Sequence, residues 1–526
     1  MRLARSVSLS IALGLTLALV VPSVVSARER FPRRLDPQSW EVPEDMTWRD
    51  YKPVPRVPYY DKDFEPTLRT LRAALILGDF PDYKFRVAAT KRDVTGQKVL
   101  GVEDPARFWL GYLFRNENPK SYTRGHTVDE YWLENSYGLI GVDAEAFGPY
   151  RMEKRYHEYG ILDFGSSADC PQGSDCEGQT GFDTELVEKS LADVTASQTE
   201  HGEFDFRFLL HAGYDESGTW LNYGQALFTR PEAVTEKWGP RFAPNHRNWA
   251  TTRYVPWSSW WSSQHIWSHA LPGLLSTQGE SDGGSTYAHE LSHIFGILDN
   301  YNNPYDENPK RSYSGPWDMM SRGTFNGPGG PFERWTIPPR EGGTMGSHHM
   351  IRNKLRLGFL PPSEVRTITR SALDAAGIVR TRILQRESPP LTADAPPSPA
   401  DPQNHIYSGM RIVLGEDQRT CDYSKPKCDG GNYDNYDIEV VNRQGFDSFI
   451  PDHGVLIAKT KNGDVPAPFI WVIDSHPKNL NKVDYVRADG EKFRYTVGDY
   501  RQLSDAAFHV GTAKGVKNRY KDKANG

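Results

Sequence analysis

Apolar runs and helically spaced apolar positions alternate through the first two-thirds of this 526-residue chain. Residues 72–78 (RAALILG) are almost uninterruptedly apolar and are followed by Asp79-Phe80-Pro81-Asp82, a turn signal. That combination predicts a buried strand opening an α/β unit. Residues 108–114 and 128–134 are expected to be helices, 138–142 a strand, and 186–194 a helix with one apolar face. Residues 206–211 predict a second buried strand, ending in His211-Ala212-Gly213. From about residue 363 the pattern changes. Residues 367–369, 378–384, 412–414, 436–441, 455–459 and 469–473 alternate or run apolar between Gly, Asp and Pro, which predicts strands and a β-sandwich-like domain. Residues 388–402 (SPPLTADAPPSPADP) form a proline-rich loop and an expected site of proteolytic nicking. The fold class expected from this order is α+β, with strands and helices mixed first and a β-rich part after.

Between the two regimes lies the stretch 285–305, STYAHELSHIFGILDNYNNPY. His289, Glu290, His293, Gly296 and Asp299 stand in the order H-E-x-x-H-x-x-G-x-x-D. On a helix, positions i and i+4 lie above one another, so His289 and His293 can present two imidazoles to one zinc ion. Glu290 is then placed to hold and deprotonate a zinc-bound water. Gly296 can end the helix in a left-handed turn, and the returning chain brings Asp299 to the metal as third ligand. Three protein ligands leave a fourth position open, as in catalytic zinc sites. Chance alone gives H-E-x-x-H in roughly one or two per hundred chains of this length, and the two further residues lower that by about two orders of magnitude. Asp306 and Glu307 are the fallback for the third ligand.

Composition adds the compartment. A net charge of −6 with 62 basic and 68 acidic residues shows no basic footprint, so nucleic acid is not an expected partner. Arg2 and Arg5, the apolar residues 9–21 and the small residues Val25-Ser26-Ala27 make residues 1–27 a signal peptide, with no membrane association expected after its removal. Residues 28–66 are rich in Pro and charge and stand as a propeptide or an N-terminal extension. They hold no cysteine, which excludes latency through a thiolate on the metal. The four cysteines pair by proximity as Cys170 with Cys176 and Cys421 with Cys428, two expected disulfides in an oxidising environment. Neither pair has the C-x-x-C spacing of a second zinc site.

Residues 257–269 (WSSWWSSQHIWSH) hold four tryptophans. They suit a glycan- or peptide-stacking surface, or aromatic packing beside a site, and packing is the commoner use. His265 and His269 are expected to be surface residues or partners of the site rather than ligands. Downstream, Gly315-Pro316-Trp317-Asp318-Met319-Met320-Ser321 places a methionine in a tight turn after an extended zinc motif, with Met320 the choice over Met319.

With these motifs, the sequence resembles the immune-inhibitor-A-type secreted metallopeptidases, a branch of the metzincins. The likeness runs through RAALILGDFPD, YWLENSYGLIG, LLHAGYDESG, IWSHALPG, HELSHIFGILDNY, GPWDMMSRGTF and HHMIRNKLRLGFL, most of residues 70–362. It implies a metzincin-like zinc metallopeptidase catalytic domain over residues 67–362 and a β domain over 363–526 packed on the protease. It implies His289, His293 and Asp299 as zinc ligands, Glu290 as general base and Met320 as the turn methionine. The usual metzincin third ligand is His, whereas this chain has Asp299. His348 and His349 belong to the expected closing helix. The likeness allows structural calcium without locating it. Acidic clusters at 299–307 and 422–437 are candidates, although no EF-hand loop is present and solvated turns are the plainer reading. No chemistry is read in residues 363–526.

The expectation is therefore a secreted, monomeric zinc endopeptidase acting on proteins or peptides and made as a precursor. The rival is an idle protease scaffold that binds glycans or peptides. Glu290 argues against it, because an idle scaffold has no need of a base beside the ligand pair.

Overall fold

The computed structural model describes residues 33–34, 46–61, 63–97, 100–115, 123–159, 178–215, 223–224, 227–243, 245–251, 257–263, 270–271, 275–302, 310–329, 336–339, 343, 345–391, 404–415, 421–422, 424–478, 485–486, 492–493, 500–511 and 517–522. Its first sheet grows from β1 (Arg69–Asp79), whose inner residues are almost all buried, as a strand covered on both faces requires. Helices α1 (Pro105–Leu113) and α2 (Val128–Asn135) follow, then β2 (Ile140–Arg151), α3 (Gly178–His201) and β3 (Phe206–His211). The short β4 (Ala270–Leu271) and β5 (Leu275–Gly279) complete the sheet. Its order is β2-β1-β3-β5-β4, with β4 antiparallel on the edge and the other strands parallel. Both early helices start on a side-chain cap. Asp104 accepts from Arg107 N ahead of Pro105, and Thr127 accepts from Glu130 N. The metal-motif helix α4 (Gly284–Ile294) leaves the C-terminal end of β5, the end where an open parallel sheet presents its sites.

After α4 come a tight turn at 318–321 and the short helix α5 (Ile351–Arg356). The closing helix expected over 348–360 is thus cut to six residues. His348, His349 and Met350 stay extended because their N–H groups go to the side chains of Asp447, Asn135 and Asp318 instead of to a helix. Strand β6 (Val365–Thr369) and helix α6 (Arg370–Ala376) lead into the second sheet with β7 (Gly409–Val413), β8 (Asn435–Val441), β9 (Gly454–Thr460) and β10 (Ile470–Val472). Its order is β10-β9-β8-β7-β6, antiparallel except for the β7–β6 pair. Among the described residues these strands make one five-stranded sheet, where the sequence predicts a sandwich. Alternation along β9 shows what covers each face. Leu456 and Ala458 join the large core that also holds Leu75, Leu291, Trp317 and Met320, while Val455 and Ile457 pack with Tyr436 and Trp471 on the other side. One hydrophobic core therefore runs across residue 363.

The N-terminal segment belongs to the same body. Met46, Val54, Val57 and Tyr59 are buried, Gly445 N donates to Lys52 O, and Gly329 N donates to Met46 O. At about 1.5–3 kcal/mol per buried apolar side chain, trimming at residue 66 removes several kcal/mol of stability. A chain starting at Thr67 is expected to unfold at clearly lower denaturant than one starting at Met46; equal midpoints would show residues 46–66 to be dispensable. Residues 1–27 lie outside the described residues. Among those described, no helix is long and apolar enough to cross a membrane.

Candidate metal centre

Helix α4 presents His289, Glu290 and His293 as a group whose donor atoms all lie within 4.8 Å of one another. The helix stops as the sequence predicts. Gly296 has φ +84°, its N–H bonds His293 O, and Ile297 N reaches Ser292 O, the paired bonds of a Schellman turn. No atom crowds a Cβ at Gly296, so the left-handed backbone and not space asks for glycine. The turn sends the chain back, and Asp299 Oδ1 arrives 3.0 Å from His289 Nε2 and 3.3 Å from His293 Nε2.

Each imidazole is oriented from behind. His289 Nδ1 donates to Met319 O at 2.8 Å, and His293 Nδ1 donates to Ile297 O at 2.8 Å. Both Nε2 atoms are thereby turned toward Asp299, and in the neutral imidazole each is the nitrogen whose lone pair a metal ion would take. Two donors about 2.1 Å from a tetrahedral ion lie about 3.4 Å apart, close to the spacing found here. The residues thus fit a metal ion of the zinc type. His289 and Glu290 are buried, whereas the Asp299 side chain keeps 42% of its surface, so the site opens to solvent on the aspartate side. Without an ion, burial disfavours charge on His293, but the Asp299 hydrogen bond and charge outweigh it and carry its pKa up to about 9. Burial opposes charge on Asp299 as well, and the two imidazoles overcome it and hold the carboxyl far below its usual range.

The methionine turn lies directly behind His289. Ser321 N bonds Asp318 O across the turn, and Met319 and Met320 are both fully buried. Met319 Cε fills the space that a side chain at Gly346 would need, and the Met319 carbonyl orients His289. The backbone of Met319 thus acts on the site, a role that the preference for Met320 as turn methionine did not anticipate. His349 Nε2 meets Ser292 Oγ at 3.0 Å, and His348 Nε2 meets Glu134 Oε1 at 2.6 Å, both fully buried in the polar layer behind α4. Burial pushes both imidazoles well below the usual histidine value, so they sit neutral.

That layer contains what sequence reasoning missed. Arg386, 2% exposed, donates through Nε and Nη2 to both Asp447 oxygens, and through Nη1 to Glu439 Oε1 and to Trp317 O, each at 2.7–3.0 Å. Asp447 also accepts from His348 N, Glu439 from Ile351 N, and Asp318 from Met350 N and Met320 N. Side chains from the second sheet and its loops thus fix the main chain on either side of the methionine turn. Arg386 sits in QRESPP, where no local pattern marks a charge for burial.

Cys421 and Cys428 form a disulfide. Cys170, Cys176, His265, His269, Asp306 and Glu307 lie outside the described residues. In the acidic cluster 422–437, Asp429 pairs with Lys459, Asp437 with Arg411, and Asp422 caps its own turn at Ser424, so cations and N–H groups already engage these carboxylates. Trp260 and Trp261 are buried against His246, Tyr214 and Tyr223, which places these two tryptophans in packing.

Residues 356–526 match the family model ARB_06334_M, described as a middle domain. A protein of Arthroderma benhamiae named "Putative secreted metallopeptidase" is 39% identical over 504 residues, which cover 93% of this chain and 70% of that protein. At that identity and coverage, the chain belongs to the family of this secreted metallopeptidase.

Proposed function

We propose that the protein is a secreted zinc endopeptidase of the metzincin kind, close to the immune-inhibitor-A type, with His289, His293 and Asp299 holding the ion and Glu290 serving as general base. The observation that carries this reading is the convergence of both Nε2 atoms on Asp299 with Glu290 beside them. Zinc, when bound, acidifies water and polarises a scissile carbonyl. The chain supplies the rest. Met319 O and Ile297 O fix the imidazole orientations, Asp299 adds a negative oxygen donor, and the Glu290 carboxylate takes a proton from water and returns it to the leaving amine. Edge strand β4, antiparallel to β5 just ahead of the metal helix, supports the expectation that an extended substrate is held along residues 251–270 by strand addition. A peptide inhibitor bound elsewhere would remove that part of the proposal.

The test is release of peptides from casein by the purified secreted protein, with its zinc content measured alongside. Cleavage by zinc-loaded protein supports the reading. Stoichiometric zinc without cleavage, before and after trimming of the N-terminus, favours the idle binding scaffold.

The raised pKa of His293 gives a second expectation. A ligand imidazole must be neutral, so loading zinc near pH 7.5 displaces the proton shared with Asp299. Titration in a weak buffer with a pH indicator is expected to release at least about one proton per ion, with any ionisation of the metal-bound water adding to it, and apparent affinity to rise at least about tenfold per pH unit up to about pH 9. Affinity independent of pH between 7 and 9 would contradict it.

A further inference from the structure

Asn300, the residue after Asp299, is fully buried, and its carboxamide is engaged mainly by groups far along the chain. Its Oδ1 accepts from Phe469 N at 2.9 Å and Ile470 N at 3.1 Å, while Nδ2 donates to Ile470 O at 2.8 Å and Ser314 Oγ at 2.9 Å. A carboxamide paired with both the N–H and the C=O of one residue does what a peptide group of a neighbouring strand does. It does so on the outer side of β10, the end strand of the second sheet. The backbone around it is held as well. Asn300 N donates to Met320 O at 2.7 Å, and Leu298 N donates to Asp464 Oδ2 at 3.1 Å. Asp464 is in turn fixed by Arg352 at 2.5 Å and Arg356 at 2.8 Å. Both neighbours of Asp299 are therefore anchored to the segment 464–470, and the Asp299 carboxylate meets the histidines between those anchors.

We propose that Asn300 is a positioning residue for the metal centre: it ties the Asp299 carboxylate to the edge of the second sheet, so that residues 464–470 complete a site whose ligands all precede residue 300. This rests on the reading of His289, His293 and Asp299 as metal ligands. The methionine turn joins the same arrangement, because Met320 O holds Asn300 N while Met319 O holds His289. One rigid connection thus spaces the first and third donors. Removing the Asn300 carboxamide strands the N–H groups of Phe469 and Ile470 and lets Asp299 swing, so the ion must order the loop before it gains the oxygen ligand. Groups that hold a metal ligand in place are worth about 10–100-fold in metal affinity, and Asn300 holds the backbone next to Asp299.

The test is zinc affinity, read by competition with a chromophoric chelator, for the secreted protein and its variants Asn300→Ala, Asp299→Ala and the double variant. Asp464→Asn provides a second way to release the loop, and Leu456→Val loosens the same sheet away from it. Asn300→Ala is expected to weaken zinc binding about 10–100-fold, and Asp464→Asn to act in the same direction. No further loss is expected from Asn300→Ala once Asp299 is gone, the non-additivity of residues that act through one another. Leu456→Val should lower the unfolding midpoint and leave affinity alone, which separates positioning from general stability. If Asn300→Ala and Asp464→Asn bind as wild type while Asp299→Ala does not, the inference is overturned and the ligand reading stands. The same holds if Asn300→Ala costs an equal factor in the Asp299→Ala background. If Asp299→Ala itself binds as wild type, both fall. Should Asn300→Ala fail to fold, Asp464→Asn alone and combined with Asp299→Ala decides by the same criteria.

Discussion

Glu290→Gln is expected to lower kcat on casein by about 10²–10⁴-fold while leaving bound zinc unchanged. The substitution keeps the shape of the side chain and its place on α4 beside His289, so packing at this buried position is preserved. What it removes is a carboxylate able to accept a proton from water. The imidazoles do not depend on Glu290 for their orientation, because Met319 O and Ile297 O set it, and Asp299 faces them from the far side of the Gly296 turn. Metal content and rate should therefore separate in this variant. Activity close to wild type would show that the base lies elsewhere. Joint loss of zinc and activity would make Glu290 a ligand and shift the role of base away from it.

Arg386→Met is expected to cost about 3–5 kcal/mol of stability, far more than any surface charge. Arg386 is buried against Asp447 and Glu439 and bonds Trp317 O, so its loss leaves two buried carboxylates with their other bonds but without the guanidinium that pairs them. Urea denaturation should show the shift, and adding Asp447→Asn should recover part of it, since one stranded charge then disappears. The contrast is Arg69→Met, which breaks an ion pair whose arginine side chain is 58% exposed and should cost under about 1 kcal/mol. Equal effects from the two arginines would mean that the buried layer does not hold the two sheets together.

The sequence made local features legible and left the long-range ones hidden. β1 and β3 are plain because a strand covered on both faces is a near-continuous apolar run, as RAALILG and, Arg207 apart, FRFLLH are. The stop at Gly296 was plain because only glycine takes φ +84° without strain. Residues 378–384 misled. Their apolar pattern predicts a strand, yet Ile378 is 69% exposed and only Arg382–Ile383 pair. The helix just before them, Arg370–Ala376, rests on the Thr369 cap and on Gly377, which takes a positive φ at its end. Alternation marked β7 to β10 as strands but carried no information on how many sheets they build or what each face meets. The two histidines are visible as i and i+4. The partners that aim them are backbone carbonyls, which no residue type announces, and Arg386, Asp464 and Asn300 act across 69, 166 and 170 positions of chain.

Metal dependence tests the account most directly. The secreted protein is stripped with a chelator, freed of it, and assayed on casein before and after stoichiometric zinc is returned, with elemental analysis at each stage. No hydrolysis is expected from the stripped protein, with recovery once His289, His293 and Asp299 are reloaded. Undiminished hydrolysis by protein that holds no zinc or other transition metal would contradict it.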